Sequence, residues 1–352
     1  MDSSHARVIP TSLVVCLLLA LALPAAASAA AKPLLAIGEQ RASVLSGPLP
    51  GNLSPLFAKT TITQVRITVP WDASKTAASS AALTQQFASF RLIGLEPLVV
   101  FGRSWNPTNP GPLMSVAKYS KMFRDFHRRF PWVTQFAAWN EVNSCTQATC
   151  RSPRRVAQYY KTIRKQCPKC TTLVATLLDS GRPVKYIKQL QRYVGNSHQL
   201  IWALHNYGDV RRRRDTVTRQ VVASVKGKVW LTETGALAQY HGPNKVIAAL
   251  PMSEALQAKS VKYLLGPMLK RNPRISRVYV YQWQGAALGW DSGLVRPNGT
   301  ARPALTAVMQ ALAAKRVTTR CKPRRAALKK PANLKQAAKL KQAAKRPPGN
   351  DC

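Results

Sequence analysis

Eight short runs rich in β-branched, aromatic and leucine residues recur along this chain, each followed by a stretch with a different period. They are "LLAIGEQ" (34–40), "TQVRITVPW" (63–71), "EPLVVFG" (96–102), "TQFAAWNEV" (134–142), "TTLVATLLD" (171–179), "LIWALHNYG" (200–208), "KVWLTETG" (228–235) and "RVYVYQWQG" (277–285). Between them lie amphipathic segments such as "SVAKYSKMFRDFHRRF" (115–130), "SPRRVAQYYKTIRKQ" (152–166) and "SEALQAKSVKYLLGPMLKR" (253–271), and "RPALTAVMQALAAK" (302–315) closes the series. Strands that alternate with helices pair in parallel, because each helix carries the chain back to the same end of the sheet. Eight such units in about 285 residues predict an α/β fold, a single (β/α)8 TIM barrel.

The two ends have a different character. Residues 11–29, "TSLVVCLLLALALPAAASA", follow a short start with His5 and Arg7 and finish on Ala27, Ser28 and Ala29, which reads as a signal peptide over 1–29 and a secreted, extracellular protein. The alternative is an uncleaved anchor, but the strictly apolar part, Leu13 to Leu23, falls short of the roughly 20 residues a bilayer requires. The barrel then occupies 30–316, and 317–352 forms a basic tail rich in lysine and proline, with a near-repeat of Leu-Lys-Gln-Ala-Ala-Lys. Removing Cys16 with the signal leaves Cys145, Cys150, Cys167, Cys170, Cys321 and Cys352, an even set that suits disulfides in an exported protein. Spacing suggests Cys145 with Cys150, Cys167 with Cys170 and Cys321 with Cys352; a crossed pairing of the first four, or a four-thiolate zinc site, stays open.

In a barrel of this kind the C-terminal ends of the strands face the catalytic mouth. One of the chain's five glutamates, Glu141, ends the fourth run inside "AAWNEVNSC" (137–145), and another, Glu233, ends the seventh in "WLTETG". They are 92 residues apart (233 minus 141), which is three βα units of about 30 residues. Two carboxylates opening on one cleft suit glycoside hydrolysis, one protonating the leaving oxygen while the other attacks the anomeric carbon or activates water. Glu39, Asp179 and Asp209 also end strand-like runs, without a matching partner motif.

With these motifs the chain resembles the retaining glycoside hydrolases of the large barrel superfamily, the group of the family 5 cellulases and mannanases and the family 39 xylosidases. Asn140-Glu141 matches the acid/base motif and Glu233 in "LTETG" the nucleophile strand; Arg66, His205 and Tyr207 in "HNY", and Trp283 fit the same map, as does "GWDSGLVRPNGTARPAL" (289–305) before the last helix. The resemblance implies that Glu141 is the acid/base, with a pKa raised by Trp139, Phe136 and a closed sugar, and that Glu233 is an ionised nucleophile steadied by Arg66 and Tyr207. It further implies that Asn140 bonds the neighbouring sugar hydroxyl, His205 bonds sugar, and Trp283, with Trp105 and Trp71 as weaker candidates, offers a ring face for stacking. Val142 stands where the superfamily very often has proline, and no histidine follows the third run. The competing structural reading makes Arg66, His205 and Tyr207 a polar layer of the barrel and Trp283 a core residue.

Net charge is +40, of which the tail from Lys315 holds 13 basic residues and one acid, leaving +28 (40 minus 12) on the barrel. Such a field draws anionic partners. The expected partners are a carbohydrate substrate, open to being anionic, and cell-wall polymers or other polyanions met by the tail. Four consecutive arginines, Arg211 to Arg214, follow the sixth run and are expected beside the cleft. No nucleic-acid fold motif is present, so no specific nucleic acid is expected, nor any cofactor or metal, and the chain is expected to be a monomer. The alternative class is a non-catalytic exported barrel that binds carbohydrate or an anionic surface polymer.

Overall fold

The run Gln64–Pro70 shows how side chains sort themselves in this molecule. Val65, Ile67 and Val69 join the apolar shell under the helices, whereas Gln64, Arg66 and Thr68, on the alternate side, face the barrel axis. The same alternation gathers Ala36, Leu98, Val100, Ala137, Leu173, Ala203, Trp230 and Tyr279 into a separate inner cluster.

The computed structural model describes residues 32–106 and 111–320. Its strands in chain order are β1 (Leu34–Gly38), β2 (Gln64–Pro70), β3 (Glu96–Gly102), β4 (Gln135–Ala137), β5 (Thr171–Leu178), β6 (Ile201–His205), β7 (Lys228–Thr234), β8 (Gln239–His241), β9 (Ile275–Tyr281) and β10 (Gly289–Asp291). The parallel strands β1 to β7 and β9 close into a barrel, β9 pairing with both β7 and β1. All eight expected strands are present, and the fold is the expected (β/α)8 barrel. The small antiparallel ribbon of β8 and β10 has no counterpart among the expected elements.

The helices form where the sequence supplies both a cap and an apolar stripe. In Val116–Arg129 the Ser115 side chain accepts from the Lys118 amide, and Tyr119, Phe123 and Phe126, spaced i, i+4 and i+7, bury against Phe101 and Phe136 of the adjacent strands. Basic residues fill its last turn, and Pro131 lies just beyond the Phe130 cap. The segment expected as one helix over 253–271 is instead an α-helix, Glu254–Tyr263, then a π-turn at Leu264–Met268 around Pro267, then Leu269–Arg271. Proline has no N–H to donate, and the wider turn absorbs the lost bond.

Among the described residues two disulfides are present, Cys145 with Cys150 and Cys167 with Cys170, each a local pair rather than a crossed one. With each pair bridged, the four thiolates are not free to share a zinc ion. The signal segment, the Cys321–Cys352 clasp and the tail from residue 321 lie outside the described residues. Among the described residues no helix is long and apolar enough to cross a membrane.

Candidate active site

Two backbone irregularities bring Glu141 and Glu233 to the same mouth. Along β7, Val229 and Leu231 lie in the outer shell and Trp230 in the inner cluster, so strict alternation would send Glu233 outward. An extra residue intervenes: Leu204 pairs with Leu231, but His205 pairs with Glu233. This bulge at Thr232 re-aims Glu233 toward the axis, on the side that Ala203 and His205 share along β6.

Glu141 arrives by another route. β4 ends at Ala137, after which the Asn140 amide donates to Phe101 O (2.8 Å) and the Val142 amide to Thr176 O (2.9 Å). Between them Glu141 has φ 44°, left-handed backbone that a non-glycine residue adopts at a cost on the order of 1 kcal/mol. Its amide is held by Thr176 Oγ1 at 2.8 Å. The neighbouring strands thus fix a local conformation that the glutamate would not choose alone.

One oxygen from each carboxyl and one ring nitrogen of His205 lie within 4.8 Å of one another. His205 Nδ1 is 3.0 Å from Glu141 Oε1 and 3.5 Å from Glu233 Oε2. Arg66, 1% exposed, donates through Nη1 to Glu233 Oε1 and through Nη2 to Asn140 Oδ1 (2.7 Å). The Tyr207 hydroxyl donates to Glu233 Oε2 at 3.1 Å. Both oxygens of Glu233 therefore have donors, and Arg66 ties that strand end to Asn140 beside Glu141. The carboxyls stay reachable, with 22% of the Glu141 side chain and 13% of Glu233 exposed.

The electrostatics of Glu141 run against the expected rise. Burial does push its carboxyl up, but the hydrogen bond and charge of His205, with the positive charges of Arg66 and Arg103, outweigh burial and hold it below the usual carboxylate range. Trp139 and Phe136 were expected to desolvate Glu141; both belong to the outer shell, where the Trp139 indole donates to Gln147 Oε1 at 3.1 Å. Tyr207 is driven the other way. Burial first, then the charge of Glu233, lifts its phenol well above the ordinary value, so it remains a hydrogen-bond donor.

Arg66, Asn140, Glu141, His205, Tyr207 and Glu233 are thus brought together, and Trp283 is not. Its ring is 2% exposed and packs edge-on against Phe57 at 4.9 Å, in the outer core. β9 ends at Tyr281, so the alternation that would have turned residue 283 inward has already lapsed. Trp71 packs against the core with Lys75 Nζ 3.8 Å from its ring centroid, and Trp105 is exposed. The rings at the mouth are Tyr281 and Trp290, which meet Tyr207 edge-on at 6.5 and 5.1 Å. A signal for Tyr281 existed, since it continues the inward set of Tyr279. Trp290 sits on the β8–β10 ribbon, which no periodicity announced.

The remaining carboxylates are engaged elsewhere. Glu39 is fully buried and accepts from the amides of Gln40, Arg41 and Gln284 and from the Arg41 guanidinium. Asp179 accepts from the Asp209 amide at 2.9 Å, and Asp209 from Thr218 N at 2.7 Å. Of the four arginines, Arg214 pairs with Asp209 (3.4 Å), while Arg211, Arg212 and Arg213 line a cavity of about 240 Å³ with Ala236 and Leu237 of the loop after β7. None of the four forms an ion pair with either glutamate among the described residues.

The cluster of Glu141, Glu233 and His205 has donor atoms close enough for a cation. The Arg66 guanidinium on Glu233 Oε1 opposes one, because its fixed positive charge beside the carboxylate repels a cation, and the Tyr207 hydroxyl already donates to Oε2.

No protein-family model and no curated protein matches the sequence. Solved structures do. A family 39 glycoside hydrolase from Bacteroides cellulosilyticus WH2 superposes with TM-score 0.52 at 17% identity, covering 80% of this chain and 64% of that one. An exo-β-1,4-mannosidase from Opitutaceae bacterium strain TAV5 gives 0.56 at 13%, over 81% and 60%. A GH5_18 protein from Streptomyces cattleya, in complex with GlcNAc, gives 0.57 at 14%, over 82% and 81%. The chain shares their fold. It spans less than two thirds of the length of the first two of these proteins.

Proposed function

We propose that this protein is a secreted glycoside hydrolase that cleaves an O-glycosidic bond of a poly- or oligosaccharide with net retention. The observation that carries the reading is the approach of Glu141 and Glu233 within 4.8 Å at one barrel mouth. Oxygens that approach this closely suit the roughly 5–5.5 Å carboxyl separation of retaining pairs better than the roughly 6.5–9.5 Å that leave room for a water in inverting ones. The likeness to solved glycoside hydrolases supports the same reaction class.

In this reading Glu233 attacks the anomeric carbon while Glu141 protonates the departing oxygen; Glu141 then takes a proton from the water that releases the sugar. Arg66 and Tyr207 aim the Glu233 oxygens, and Asn140, fixed by Arg66, faces the sugar hydroxyl beside the reacting carbon. Tyr281 and Trp290 supply ring faces around the sugar. No step requires a cofactor.

The test is a panel of neutral and acidic glycans, with the first-formed product anomer followed by NMR, on wild type, Glu141→Gln and Glu233→Gln. Retained configuration in wild type and loss of turnover in both variants support the reading. An inverted product, or undiminished turnover in Glu233→Gln, would falsify it.

A further inference from the structure

We propose that a second cavity, on the outside of the barrel between the helices Pro153–Gln166 and Pro183–Val194, binds an acidic polysaccharide independently of the catalytic mouth. The cavity measures about 680 Å³, and Arg151, Arg154, Arg155 and Arg192 line it, with no carboxylate among the lining residues. Arg155 spends its guanidinium on Gln158 Oε1 (3.0 Å) and Met114 O. Among the described residues the guanidinium groups of Arg151, Arg154 and Arg192 make no hydrogen bond or ion pair.

Like charges crowded around one concavity repel each other, and no acid in the wall offsets them. The same crowding focuses a positive field into a space large enough for a short length of sugar chain. Guanidinium forks take carboxylate or sulfate oxygens in pairs and stay charged at any working pH. Gln189 adds an amide for hydroxyl groups, and the exposed ring of Tyr193 adds an apolar face. A single exposed ring inside a concave wall suits a sugar better than a nucleic-acid strand, which uses successive stacking platforms. The loop carrying Arg151 is pinned by the Cys145–Cys150 bridge and by the Tyr186 hydroxyl on Thr149 O (2.9 Å), so the site is preorganised.

The experiment measures binding rather than turnover, so it stands or falls apart from the hydrolase reading. Polygalacturonate fragments are titrated against wild type, against Arg151→Gln/Arg154→Gln/Arg192→Gln, and against a charge-matched control, Lys59→Gln/Lys228→Gln/Lys245→Gln, whose lysines are all exposed. The expected result is a loss of about tenfold or more in the arginine variant and under about twofold in the control, with a shallower salt dependence only in the former. Equal losses in both would assign the binding to overall charge and overturn the site. So would no loss in either. Stronger, cavity-dependent binding of single-stranded DNA or of anionic vesicles would also overturn the polysaccharide assignment. If the triple variant fails to fold, Arg192→Gln alone, which removes one exposed side chain, is held to the same comparison.

Discussion

His205 Nδ1 stands 3.0 Å from Glu141 Oε1 and 3.5 Å from Glu233 Oε2, so a single buried imidazole spans the gap between the two carboxyls. For Glu141 its bond and charge outweigh the effect of burial and keep the acid below its ordinary range. In the proposed reading Glu141 donates a proton, and this contact works against that role.

Replacing the imidazole should release Glu141. In His205→Asn the neighbour that favours the charged form is gone while burial persists, so the carboxyl rises and stays protonated to higher pH. The alkaline limb of the kcat/KM profile is expected to move up in pH, even if its height falls. A profile that drops without moving would make His205 a sugar contact only.

Tyr207→Phe deletes one of the two donors that aim Glu233, the hydroxyl at 3.1 Å. A hydrogen bond to a charged group contributes about 1.5–3 kcal/mol, so kcat/KM should fall roughly 10- to 100-fold with little change in Tm. Thermal melts and kinetics on the same preparation check both parts.

The barrel was legible because its signal is redundant: eight strand-like runs each had to be followed by a return path, and an error in one leaves the count intact. Glu141 and Glu233 were legible through their spacing. The devices that aim them were not, since the φ of 44° at Glu141 and the extra residue at Thr232 are backbone events with no local sequence signature. The inverted pKa of Glu141 was hidden for a related reason. It depends on which side chains the closed barrel brings within 3–4 Å, and His205 lies 64 residues away in the chain.

Trp283 entered through the resemblance alone, and in the structure it lies past the strand end at Tyr281, in the outer core. Its burial against Phe57 predicts that Trp283→Ala loses about 3–5 kcal/mol of stability by denaturant titration, with KM little changed in the folded fraction. Tyr281→Ala and Trp290→Ala should do the reverse, raising KM for a glycan substrate. A KM effect confined to Trp283 would restore the original assignment.

The Cys145–Cys150 bridge closes a loop of five residues' separation immediately after Glu141. Loop-closure entropy for so short a ring is about 2 kcal/mol. Gln147 bonded to Trp139, and Thr149 Oγ1 bonded to Val142 O (3.3 Å), brace the same loop without it. Cys145→Ser/Cys150→Ser should thus lose about that much stability and remain folded, with kcat reduced several-fold. Thiol titration of unfolded, unreduced wild type should find Cys145, Cys150, Cys167 and Cys170 unreactive.

Arg302 anchors the ribbon that carries Trp290. It is 1% exposed and donates two parallel hydrogen bonds to the Asp291 carboxylate of β10, Nη1–Oδ1 and Nη2–Oδ2 both 2.6 Å, while its Nε reaches Glu254 at 3.0 Å. Arg302→Met would leave Asp291, 2% exposed, without its counter-charge, a loss of about 3–5 kcal/mol near neutral pH. Glu254 gives that loss a pH dependence. The hydrogen bond from Arg296 chiefly, opposed by desolvation and aided by Arg302, holds its carboxyl below the ordinary value of 4.5. A depressed carboxyl contributes stability that is present above its unfolded pKa and disappears as pH falls through the folded one. Arg302→Met keeps the Arg296 bonds and loses only the Arg302 share, so wild type should lose stability on acidification somewhat faster than the variant, and the gap between their denaturation midpoints should narrow modestly below about pH 4.5. A gap that stays constant down to strongly acidic pH would mean that Arg302 acts through packing of its alkyl stem and not through its charge.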